Sequence, residues 1–212
     1  LPSGACPAPT GSSCTNGVNV AAYRNNISYS LRYGSATSNV GPDYNIGMTP
    51  YAQGIATSLS VPYVGTDSGP TVATANGPLY YLDAASTPYA GFSYDANNST
   101  LLFTGYFEPP VSGTYTICSE GDNLDNFYFG SANAFSCGST ATPTGSTPDI
   151  VATYTAQVCK IFTLTVNLLY PIRSVYGMVE LPSSLNTTIT GPGSSTPLDL
   201  STLLIPQNSP YV

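Results

Sequence analysis

The residue pattern predicts an all-β chain folded as an antiparallel β-sandwich. Three observations carry this reading. Apolar residues recur with period two in several segments, whereas no segment shows a convincing 3.6-residue period. Gly and Pro, 20 and 19 of 212 residues, divide the chain into short stretches. Those stretches are strand-length and separated by turn signals, the spacing expected of a sandwich rather than of alternating strands and helices. Disorder does not fit, because 42% of the residues are hydrophobic and 11% aromatic.

Leu101 to Phe107 and Gly113 to Cys118 read as a pair of strands. Between them, Glu108-Pro109-Pro110-Val111-Ser112-Gly113 is a turn whose prolines cannot continue a ladder. Ser119 to Asn126 is a loop rich in oxygen-bearing side chains, and Phe127 to Gly130 is an aromatic strand ended by glycine. Thr140 to Asp149 reads as a surface loop. The clearest alternation follows, with Phe162, Leu164, Val166, Leu168 and Tyr170 on one face and Thr163, Thr165 and Asn167 on the other. Gly191 to Pro197 is a second surface loop. Neither loop is a convincing linker and no repeat is present, so residues 1–212 are expected to form one domain.

Only 7% of the residues are charged, against about 25% in an ordinary soluble domain. The net charge is −7, with Arg24, Arg32, Lys160 and Arg173 the only cations. Binding to nucleic acid depends on clustered Lys and Arg that displace phosphate counterions, so that class is excluded, and an anionic membrane surface would repel the chain. A cation is the better partner.

Five cysteines, Cys6, Cys14, Cys118, Cys137 and Cys159, contain no CxxC pair. With few lysines, and with N-glycosylation acceptors at Asn26, Asn97, Asn98 and Asn186, they point to an oxidising, secreted setting. The start at Leu1 reads as that of a trimmed mature fragment. No apolar run reaches the roughly 18 residues that span a bilayer, so any anchor is expected outside this fragment.

The chain contains no His, which removes Ser-His-Asp and Cys-His nucleophiles and the common zinc constellations. A glycosidase needs two carboxylates flanking a sugar. Here only Glu120, Asp122 and Asp125 cluster, in one local segment, so the chain is not expected to be an enzyme. The segment Ser119-Glu120-Gly121-Asp122-Asn123-Leu124-Asp125-Asn126 supplies the oxygens that a hard cation such as calcium takes, without the spacing of an EF-hand. Read from composition alone, it is also a solvated turn in which Asp and Asn cap their own backbone.

The run Leu102-Phe103-Thr104-Gly105-Tyr106-Phe107-Glu108-Pro109-Pro110-Val111-Ser112-Gly113-Thr114-Tyr115-Thr116 resembles the core of yeast flocculin lectin domains. These belong, with the GLEYA adhesins, to the β-sandwich superfamily named after anthrax protective antigen. The likeness continues through Asp122-Asn123 and Gly130 to Cys137, and resumes from Leu169 to Tyr176; its specific part spans about 92 to 193. It implies long loops that carry a calcium and sugar site at one end of the sandwich. Two adjacent Asp/Asn side chains joined by a cis peptide, here Asp122 and Asn123, would hold the ion, which in turn would bind two hydroxyls of a terminal sugar. A second loop, Gly177 to Ser184, would complete the site through Glu180, Leu181 and Pro182, with Glu180 and Pro182 also serving the metal.

The sequence departs from the family there. Met178 stands where the family has an Asn ligand, Pro182 where it often has a Trp, and the chain has no Trp at all. A wider, less apolar rim favours a bulkier sugar such as terminal N-acetylglucosamine, with galactose, glucose or mannose as alternatives. Tyr33, Tyr63, Tyr89 and Tyr176 are candidates for the stacking face. The resemblance further implies the disulfides Cys6–Cys137 and Cys118–Cys159, with Cys14 as a rival of Cys6. It also implies an extracellular, monomeric domain presented on a wall-anchored stalk at the fungal cell surface, where it binds glycans of cell walls or host surfaces. A homophilic or structural adhesion domain with a decayed sugar site is the rival reading.

Overall fold

The computed structural model describes residues 2–8, 15–24, 45–65, 71–74, 77–80, 87–96, 99–141, 143–154, 156–178 and 182–208. Among the described residues there is no helix, and every strand pairing is antiparallel.

Two sheets form the sandwich. The larger runs in the order β12 (Ile150–Thr153), β11 (Leu124–Phe129), β14 (Leu168–Met178), β9 (Ser99–Phe107), β2 (Val18–Arg24) and β3 (Ala52–Ala56). Two short strands join it, β1 (Cys6–Pro7) on β14 and β16 (Leu204–Pro206) on β9. The smaller sheet has the order β13 (Val158–Leu164), β10 (Gly113–Asp122), β15 (Ser183–Thr190) and β4 (Val61–Val64). Two hairpins lie outside both, β5 (Thr71–Thr74) with β6 (Gly77–Tyr80), and β7 (Thr87–Tyr89) with β8 (Phe92–Tyr94).

Alternation decides which side chains meet between the sheets. Phe103, Phe107, Phe127, Ile172 and Tyr176 come from the larger sheet, and Tyr115, Ile117, Leu164, Leu185 and Ile189 from the smaller; all are buried in one apolar cluster. The opposite parity of the larger sheet also finds cover. Leu102, Tyr106, Tyr128, Leu169 and Val175 pack with Ala134 and Phe135 from the segment after β11. Arg173 is fully buried there, its guanidinium 3.7 Å from the Tyr128 ring centroid and its Nε donating to the Ala134 carbonyl at 3.1 Å. This segment is fastened by the Cys6–Cys137 disulfide, and Cys118–Cys159 joins β10 to β13; both are the pairings the resemblance implied. Cys14, Tyr33, Asn26, Asn97 and Asn98 lie outside the described residues.

Two sequence expectations are corrected. Leu101 to Phe107 and Gly113 to Cys118 are strands but not a pair, because β9 lies between β14 and β2 whereas β10 lies between β13 and β15. The proline-bearing segment 108–112 is an arch from one sheet to the other. Likewise, Phe162 to Tyr170 is not one strand. β13 ends at Leu164, and β14 starts at Leu168 in the other sheet. Between them Thr165 N–H donates to the Tyr170 hydroxyl, Val166 N–H donates to Ser112 Oγ, and Asn167 takes a left-handed φ of 61°. Side-chain parity survives such a turn, which is why the alternation read as continuous. Phe127 to Gly130 does end a strand, β11, at a glycine with φ 83°. Among the described residues, the segments 140–149 and 191–197 contain no strand.

Candidate functional site

β10 and β11 belong to different sheets, and a single residue separates them. Asp122 ends β10, Leu124 begins β11, and Asn123 is the corner; the Asp122–Asn123 peptide is cis. The stretch from Ser119 to Asn126 is therefore mostly strand, not the loop expected from its composition. Register locates both flanks of the corner. Asp122 is opposite Ser184 in the smaller sheet, and Leu124 is opposite Gly177 in the larger.

Three contacts hold the corner. The Tyr176 hydroxyl donates to the Asp122 carbonyl at 2.6 Å, Asn123 N–H donates to the Gly177 carbonyl at 3.3 Å, and Asn123 Nδ2 donates to Asp122 Oδ1 at 3.2 Å. Tyr176 is wholly buried, and that burial raises its phenol well above the usual range, so it stays a donor. Asp122 is half-buried and Asn123 is 9% exposed, so the pair sits at the surface on a fixed floor.

The floor is polar. Asp125 is completely buried and accepts from Ser174 Oγ at 2.6 Å and from Ser119 Oγ at 2.7 Å. Ser119 Oγ is also 2.9 Å from Thr187 Oγ1, and since Ser119 gives its proton to Asp125, Thr187 donates. Burial pushes the Asp125 carboxyl up to about 6, while the bonds from Ser174 and Ser119 pull the other way. Sequence reasoning had grouped Asp125 with Glu120 and Asp122. The fold separates all three: Glu120 is exposed on the outer face of the smaller sheet, Asp125 is beneath the corner, and Asp122 alone is at it. Among the described residues no three His, Cys, Asp or Glu side chains gather into a metal-binding group.

The second loop is shorter than expected. Gly177 and Met178 are the end of β14, and Ser183 and Ser184 are the start of β15. Met178 is fully buried and opposite Ser99, so it is a core residue of a strand rather than a loop position. Only 179–182 remain to bridge the sheets, and both ends of that bridge flank the corner through the Gly177–Leu124 and Ser184–Asp122 pairs. Pro182 is a half-buried bend immediately before β15. Glu180 and Leu181 lie outside the described residues. Of the tyrosines considered for stacking, Tyr176 is the buried anchor of the corner, and Tyr89 is half-buried and donates to the Ser60 carbonyl at 3.1 Å. Tyr63 is 68% exposed on β4, the neighbour of β15 at Ser183.

The donor chemistry suits a hard cation. An aspartate carboxylate and an asparagine amide stand side by side, and turning the Asn123 amide about its last torsion would present Oδ1 in place of Nδ2. Among the described residues Asp122 is the one carboxylate at the corner, so the remaining ligands of a bound ion would be amide and carbonyl oxygens, water, or Glu180 from the segment after β14. Sequence reasoning offers Tyr176 as a stacking ring rather than as the anchor of the corner, and it misses Ser174 and Thr187, which join Asp125 and Ser119 beneath it. A signal was present, since Ser119, Ser174 and Thr187 occupy inward positions of strands whose other inward residues are mostly apolar.

Comparison with known proteins follows the same lines. Residues 99–191 match the family profile described as the GLEYA domain. A search of curated proteins returns no match. Among solved structures the chain is similar to the A domain of epithelial adhesin 6 from Candida glabrata, in complex with Galb1-3GlcNAc, at 19% identity and a TM-score of 0.68 over 97% of this chain and 91% of that one. It is similar to the epithelial adhesin 9 A domain from the same organism, in complex with Galb1-4GlcNAc, at 18% identity and a TM-score of 0.67 over 97% and 98%. A PA14 sugar-binding domain from an RTX adhesin follows at 12% identity and a TM-score of 0.51, over 87% and 95%. The first two likenesses establish the fold along almost the whole chain. The chain is thus similar to the GLEYA domain over residues 99–191, and it shares the fold of the epithelial adhesin A domains along almost its whole length.

Proposed function

We propose that residues 1–212 form one calcium-dependent lectin domain of a fungal cell-surface adhesin, binding the terminal sugar of a glycan at the Asp122–Asn123 corner. The observation that carries this reading is the corner itself. Two oxygen-bearing side chains are adjacent at the surface, and their backbone is tied down by Tyr176 and Gly177. A bound calcium ion would supply open coordination positions for two neighbouring hydroxyls of a sugar. Asp122 and Asn123 would hold the ion, and carbonyl or carboxylate oxygens of Glu180 and Pro182 would complete its shell. Leu181 would line the sugar's rim. Tyr176 keeps the Asp122 backbone in place, and Tyr63 offers an exposed ring beside β15.

Solved adhesins of this fold were crystallised with galactose-containing ligands. This chain has no Trp, and its second loop ends in Pro182. We therefore favour terminal N-acetylglucosamine, on cell-wall or host-surface glycans, ahead of galactose, glucose or mannose. Single-site affinity is modest in this reading, and many copies presented on a wall-anchored stalk supply avidity.

Calorimetry with these four sugars, with calcium and then with chelator, tests the proposal. Binding should vanish with the metal and in Asp122→Ala and Asn123→Ala variants whose unfolding remains cooperative. Sugar binding that survives chelation defeats the mechanism. Concentration-dependent self-association with no response to any sugar would support the homophilic reading instead.

A further inference from the structure

The acceptor motif Asn186-Thr187-Thr188 lies within β15, close to the corner yet unused by it. Asn186 is exposed on the outer face of the smaller sheet and is opposite Glu120, itself exposed. Its neighbours in sequence point elsewhere: Thr187 is buried, bonded to Ser119 beneath the site. The Asn186 amide is oriented by Ser60, whose Oγ donates to Asn186 Oδ1 at 3.4 Å and in turn accepts from Thr187 N–H at 3.2 Å. That contact engages the oxygen of the amide, not the nitrogen to which a glycan is joined.

We propose that Asn186 carries an N-linked glycan, rooted on the sheet face beside the candidate sugar site. Its Nδ2 forms a bond to the anomeric carbon of an oligosaccharide delivered on a polyprenyl pyrophosphate. The lipid pyrophosphate leaves, and one amide proton is released. The hydroxyamino acid required at the second following position is Thr188, and the intervening residue is not Pro. Transfer to the extended nascent chain precedes burial of Thr187, and the folded strand then leaves the attachment atom on an open face. From Asn186, Ser184 is two residues along the same strand and opposite Asp122, so the glycan root stands about 7 Å from the corner's register position.

The test does not depend on sugar binding, so its failure is separable from failure of the lectin reading. The chain is secreted from a eukaryotic host alongside a control glycoprotein, denatured, reduced and cut with trypsin. No Lys or Arg follows Arg173, and peptide 174–212 contains Asn186 as its one acceptor. The expected result is a glycan mass on that peptide, removed by peptide amidase with conversion of Asn to Asp, and lost in both Asn186→Gln and Thr188→Ala. An unmodified 174–212 peptide, from a culture in which the control protein is glycosylated, overturns the proposal.

Discussion

Replacing Tyr176 by Phe removes one oxygen from the floor of the candidate site and leaves the ring in the core. The lost bond is short, 2.6 Å, and its donor is completely buried, while its acceptor is the backbone carbonyl of half-buried Asp122. Losing a buried hydrogen bond and stranding its partner costs about 1–3 kcal/mol; water can reach Asp122 in part, which favours about 1–2 kcal/mol. That loss should divide between folding and metal binding, because the displaced carbonyl belongs to a residue proposed to hold the ion. Calcium affinity should weaken about three- to tenfold, tenfold corresponding to about 1.4 kcal/mol.

Tyr115→Phe is the control. Its hydroxyl donates to the Val111 carbonyl at 2.7 Å, the same chemistry seven residues back along β10, about 24 Å from the corner. Urea unfolding in chelator should show comparable losses for the two variants. Calcium titration by calorimetry should show weaker binding only for Tyr176→Phe. Equal calcium affinity in both variants and the parent, alongside the expected stability losses, would refute the role given to Tyr176.

Other perturbations separate further parts of the structure. Asp125 titrates at about 6 when folded, against its ordinary 3.8, so the native state holds the extra proton between those values. Stability of the metal-free protein should therefore fall by about 2 kcal/mol as pH rises from 4 to 7, and Asp125→Asn should flatten that profile; parallel urea profiles would exclude the coupling. Removing Cys6–Cys137, which closes 131 residues, should cost about 5 kcal/mol by chain entropy, against about 4 kcal/mol for Cys118–Cys159, which closes 41. Guanidinium unfolding of the two double-alanine variants gives the order, and its reversal would mean that local pinning of β13 outweighs loop length. Gly105→Ala would bring a Cβ to 2.6 Å from the Ile205 carbonyl oxygen and 2.7 Å from Val18 Cγ1, so a loss of about 1–3 kcal/mol is expected, with β16 displaced. An unchanged melting temperature would show that β16 yields freely.

Much of this fold was legible because alternation depends only on neighbours in sequence. The inward residues of β10, Tyr115 and Ile117, and the aromatic run of β11 announce themselves. What alternation does not encode is the sheet to which a strand belongs. The arch at 108–112 and the turn at 165–167 both preserve parity while carrying the chain across the sandwich, so one reads as a turn between paired strands and the other as no break at all. The Asp122–Asn123 pair was legible through family resemblance, not composition, which is equally that of an ordinary Asx turn. The anchoring role of Tyr176 was not, since a tyrosine at an inward strand position looks like core or a stacking ring until its hydroxyl is seen to meet a backbone carbonyl 54 positions away.

The hydrogen bonds beneath the corner touch four strands: Ser174 on β14 and Asp125 on β11 in one sheet, Ser119 on β10 and Thr187 on β15 in the other. Sheets that meet only through hydrocarbon can slide by fractions of an ångström at little penalty, because dispersion has no preferred direction. Directed bonds of 2.6 to 2.9 Å cannot follow such a slip without breaking. The two layers are thereby locked in alignment at the end that carries the candidate site. In the function proposed above, a saccharide that touches few atoms would meet a surface already in its bound shape, and little of its weak attraction would be spent on ordering the protein.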